Sequence, residues 1–102
     1  LRMAGELKIT EMRSLTLKGQ LVLYPVTGCV SQSIDASATQ DDSAATRADT
    51  EMVTIYNSGD ACNVAIWDTI GTVSATNSIY IGAGERLDLI CGPGQYISSK
   101  IV

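Results

Sequence analysis

Histidine and phenylalanine do not occur in this chain of 102 residues, tryptophan occurs once and proline twice. Without histidine, the side chain that most often moves protons near neutral pH and most readily completes a zinc site is gone. Without phenylalanine, the core falls to valine, isoleucine, leucine and alanine, a thin aliphatic filling suited to two closely apposed sheets. Cations are sparse as well: seven Lys and Arg stand against eleven acids, for a net charge of −4, and only Arg86 and Lys100 follow Arg47. A phosphate backbone calls for clustered basic residues, so the composition argues against a nucleic-acid partner. No apolar run approaches the ~20 residues of a membrane span, and no signal-peptide core precedes a small-residue cleavage site.

Cys29, Cys62 and Cys91 are too widely spaced for a CxxC ligand pair, and an odd count argues against a secreted disulfide framework. Each sits among apolar residues and reads as a small buried hydrophobe in a protein made and assembled in a reducing cytoplasm. Acid–base catalysis has little to build on. Glu85 and Asp88 are three apart along a strand and so point to opposite faces, Asp41 and Asp42 fall in a soft polar stretch, and Asp60 and Asp68 lack calcium-loop spacing. Lys100 is the sole candidate base for a serine nucleophile in the second half. The reading is a non-enzymatic protein without a cofactor or a metal.

What the chain does have is alternation. Met3-Ala4 is a natural initiation pair, which leaves Leu1-Arg2 as an addition or the product of an alternative start. Leu7, Ile9, Met12, Leu15 and Leu17 follow neither the helical nor the strand period, so residues 1–18 read as an irregular arm, extended more readily than helical. Strands are expected at 20–24, closed by Pro25, then through Val26, Val30 and Ile34, and at 52–56, 61–67, 78–81, 86–91 and 96–102. Between 35 and 50 the composition shifts to Ala, Ser, Thr and Asp, a long surface loop in which Asp41 or Asp42 could cap one helical turn. The 57–60 Asn-Ser-Gly-Asp turn makes 52–56 and 61–67 the best hairpin, and Gly92-Pro93-Gly94 suits a type II turn. About seven antiparallel strands at this spacing predict one all-β domain over 19–102, a sandwich or a jelly-roll-like barrel.

Four stretches, 53–59 (VTIYNSG), 64–68 (VAIWD), 78–85 (SIYIGAGE) and 94–98 (GQYIS), resemble small β-rich virion proteins of tailed bacteriophages. The likeness covers roughly the second half and consists largely of hairpin grammar. It implies a structural subunit in a virion assembled in a bacterial cytoplasm. Such a subunit would decorate or cement the capsid, or belong to the head–tail or tail region. The partners implied are sister copies, a trimer foremost, and other virion proteins such as the major capsid protein. Contact is expected through the 1–18 arm and the 35–50 loop, with Leu7, Ile9, Met12, Tyr56 and Trp67 as interface candidates. The competing readings are a carbohydrate-binding module, with Trp67, Tyr56, Tyr80 and Tyr96 as a stacking platform, and a small adaptor.

Overall fold

The computed structural model describes residues 5–26, 28 and 30–102. Its described residues form nine strands and no helix: β1 (Glu6–Leu17), β2 (Gln20–Pro25), β3 (Ser31–Asp35), β4 (Asp41–Asp42), β5 (Met52–Asn57), β6 (Cys62–Trp67), β7 (Ile79–Ile81), β8 (Arg86–Ile90) and β9 (Tyr96–Lys100). They make two antiparallel sheets packed as a sandwich, so the all-β expectation holds. The larger sheet runs β2-β1-β5-β8, with β3 also paired to β1, and the smaller runs β4-β9-β6-β7.

The spine is β1, which corrects the reading of this segment as an irregular arm. Leu7 and Ile9 point inward, and the same face continues through Glu11, Arg13, Leu15 and Leu17. The period is two throughout; a glutamate and an arginine on the inward face conceal it. One edge of β1 pairs β5 from Leu7 to Met12. The other is shared, with β3 along residues 6–10 and β2 along residues 12–17. The fork is at Glu11, whose N–H donates to the Val30 carbonyl and whose carbonyl accepts from the Val26 N–H, each at 3.1 Å.

Leu7, Ile9, Ile34, Val53 and Ile55 from the larger sheet meet Cys62, Val64, Ile81 and Ile97 from the smaller. The 35–50 stretch forms no helical turn. It pairs with β9 through Asp41 and Asp42, then stays extended beside it, with the Ser43 N–H on the Ile97 carbonyl and the Thr46 N–H on the Gln95 carbonyl.

The expected hairpin at 52–67 is also corrected, because β5 and β6 lie in different sheets. Asn57 makes the corner. It is buried, its side-chain amide donates to the carbonyls of Asp60 and Gly82 at 2.8 and 3.2 Å, and its Oδ1 accepts from the Gly59 N–H at 2.9 Å. Two further corners, 82–85 and 92–95, repeat one device. The first glycine's N–H donates to the side chain three residues on, Glu85 Oε1 or Gln95 Oε1, at 2.7 Å in both. The third residue of each, Gly84 or Gly94, has positive φ. For 92–95 this bears out the type II turn, with Pro93 and Gly94 at its centre.

Candidate functional site

Beyond Met12 the edge of β1 that had paired β5 has no strand partner among the described residues, and β1 and β2 leave the body as a two-stranded arm. Lys18 and Gly19 close it with φ of 49° and 77°, the left-handed pair that a two-residue hairpin loop requires. The described chain spans 47 × 29 × 24 Å. Glu51 clamps the arm's base: its carboxylate accepts from the Ser14 N–H and hydroxyl at 3.2 and 2.5 Å. Those Ser14 bonds hold the Glu51 carboxyl below the usual range. Arg13 lies 5.9 Å over the Tyr24 ring and pairs with Asp49 at 3.8 Å.

Past that clamp the arm is apolar on both faces. Cross-strand partners share a face, so Leu15 and Val22 stand together with Leu17, while Leu21 and Leu23 stand on the reverse. All five are exposed, Leu21 at 70 %. A solvated hairpin ordinarily alternates apolar with polar, and strands apolar on both sides are normally covered on both. Exposed aliphatic side chains gathered on one projection make it the candidate contact surface among the described residues.

A second apolar feature lies where the sandwich is left open at its far edge. There β8 is the last strand of the larger sheet and β7 of the smaller. β7 pairs β6 only from Cys62 to Val64, so Ala65, Ile66 and Trp67 have no strand on that side. The result is an open slot of about 420 Å³ whose lining combines Val64, Ile66, Ile79, Leu89 and Ile90 with the polar residues 76–78. Ile90 is 88 % exposed on the outer face of β8, opposite Met52.

The sequence candidates distribute as follows. Leu7 and Ile9 are fully buried in the chain's own core and offer no surface to a neighbour. Met12 is half-buried at the arm's base, and Tyr56 is exposed on the outer face of β5. Trp67 is half-buried: its indole N–H donates to the Ser98 hydroxyl at 3.1 Å and its ring lies against Gly71. Tyr56 and Tyr80 are exposed on different sheets, while Trp67 and Tyr96 are cross-strand neighbours, so the four aromatics form no single row. The sequence pattern singles out Leu15 and Leu17 but gives 20–24 as an ordinary strand. The signal available was the consecutive Leu21-Val22-Leu23, which cannot place its apolar groups on one face.

The carboxylates are engaged in structure. Asp41 accepts from the Asp35 N–H, Asp42 from the Ser98 hydroxyl, and Asp88 from Thr54 Oγ1 and the Arg86 guanidinium. No group of three or more acids and cysteines is placed to hold a metal ion among the described residues. Cys62 and Cys91 are free and buried, and burial pushes the Cys91 thiol up to about 11, which suits an inert filler rather than a nucleophile. Cys29 and the Leu1-Arg2 pair lie outside the described residues.

The chain matches no protein-family model, and no curated protein or solved structure shows significant similarity to it.

Proposed function

We propose that the protein is a non-enzymatic structural subunit that works by adhesion. In its most specific form it is a decoration, cement or head–tail component of a tailed-phage virion, joined to sister copies and to other virion proteins such as the capsid protein. The observation that carries this reading is the β1–β2 arm, a hairpin apolar on both faces and fixed at its base by Glu51. Leaving five aliphatic side chains in water costs on the order of 1–2 kcal/mol each relative to covering them, a penalty that an assembly interface removes.

The test is light scattering behind size-exclusion chromatography on the wild type and on a Leu21→Ser/Leu23→Ser variant. The wild type is expected to elute as a defined oligomer at high micromolar concentration, and the variant to fall to monomer with its circular dichroism unchanged. A wild type that stays monomeric, or a variant that assembles equally well, contradicts the reading.

A further inference from the structure

We propose that the arm of one copy seats in the β6–β8 slot of the next, joining copies head to tail. This rests on the adhesive reading above and names the partner of its arm. Three features support it.

The first is edge geometry. β2 and β8 are the two ends of the same sheet, and each has a strand on one side only. Laying β2 of one copy beside β8 of another continues the larger sheet across the contact, using the unpaired backbone groups of both edges. The two edges also match by face. The arm is apolar on both sides; β8 offers Leu89 toward the slot and Ile90 on its outer face. One face of the incoming arm packs on Leu89 in the slot and the arm covers Ile90, which also borders the slot and which the chain's own fold leaves bare.

The second is charge. Residues 12–25 carry Arg13 and Lys18 and no acid, hence +2, so a chain of net −4 holds −6 in the remainder. From 48 to 85 there is no lysine or arginine at all, against Asp49, Glu51, Asp60, Asp68 and Glu85. This segment supplies β5, β6 and β7 and most of the slot wall. The slot's own lining is uncharged, but a +2 arm is attracted to the −6 remainder of another copy, whereas two arms packing on each other would bring like charges together.

The third is area. An arm of five residue pairs is ~17 Å long and ~10 Å wide, so its two faces project on the order of 350 Å². One seated arm falls short of the ~800 Å² per partner of a durable complex. In a closed ring every chain gives one arm and receives another, so each chain covers roughly 700 Å² over two contacts that reinforce each other, though each contact alone stays small.

The experiment pairs the arm variant Leu21→Ser/Leu23→Ser with a slot variant, Ile90→Arg. Ile90 is so exposed that the substitution leaves the core untouched, which matching urea midpoints would verify. Each variant alone is expected to be monomeric by light scattering. Mixed in equal amounts at high micromolar concentration they are expected to associate weakly through one contact, raising the average mass above that of either variant alone at the same total concentration, because the slot variant still has a sound arm and the arm variant a sound slot. An Ile90→Arg protein that assembles like the wild type overturns the slot assignment while leaving the arm's adhesive role standing. A mixture that stays monomeric overturns head-to-tail seating, and loss of assembly in the arm variant would then point to arm-on-arm contact.

Discussion

Replacing Glu11 with alanine is expected to remove about 3–5 kcal/mol of stability, a large fraction of the ~5–15 kcal/mol that holds a domain of this size together. Glu11 is fully buried on the inward face of β1. Its Oε1 accepts from the Arg47 N–H at 2.7 Å and from the Thr50 hydroxyl at 2.6 Å. Oε2 has no hydrogen-bond partner among the described residues. The carboxylate thus ties the end of the 35–50 stretch to the spine, at the point where β1 changes partner from β3 to β2. Alanine would strand both donors in a dry site and leave a cavity. Glutamine keeps one acceptor oxygen and is expected to cost only about 1 kcal/mol. Urea unfolding followed by the fluorescence of Trp67 checks both. The alanine variant should lower the midpoint by about 2 M with little change in slope. A difference between the two variants below about 0.5 kcal/mol would show that these bonds matter little.

Alanine at Gly59 is expected to cost about 3 kcal/mol, for a steric reason. A Cβ there would lie 2.4 Å from Gly5 Cα and 2.8 Å from its carbonyl carbon, backbone against backbone with no flexible side chain to yield. This close approach sits where β5 hands the chain to the smaller sheet. Gly19 at the arm's tip is the control. It meets nothing within 4 Å, and alanine there bears only the left-handed φ, at about 1–2 kcal/mol. Thermal unfolding should rank Gly59→Ala well below Gly19→Ala. The reverse order would mean that the Gly5–Gly59 contact does not fix the corner.

Those two sites also show how far the sequence could be read. Val53 and Ile55 in β5, and Leu87 and Leu89 in β8, alternate with more exposed residues, and the strands they define were legible along with the sandwich class. β1 was not, because Glu11 and Arg13 occupy inward positions and break an otherwise regular alternation of Leu7, Ile9, Leu15 and Leu17. A buried, hydrogen-bonded acid looks the same in sequence as an exposed one. β4 was hidden differently: Asp41 and Asp42 pair with β9 through backbone and the Asp42–Ser98 side-chain bond, with side chains that advertise a loop. The 57–60 turn misled because a hairpin and a sheet-crossing corner use the same small, polar residues. Only the pairing of Asn57 with 82–85 distinguishes them, and that contact is remote in the chain. The β1–β2 arm was not legible, since 20–24 reads as an ordinary strand, although the consecutive Leu21-Val22-Leu23 carried a signal; the slot depends on the shortness of β7 and could not be seen from residue types.

Amide hydrogen exchange at two protein concentrations tests the adhesive arm most directly. In dilute solution the outward edge of β2 and that of β8 have no partner strand, so their amides should exchange fast. At high micromolar concentration, protection is expected to rise at 20–25 and 86–90 together, with the core strands unchanged. Exchange at both segments that is indifferent to concentration, while the scattering mass climbs, would contradict the account.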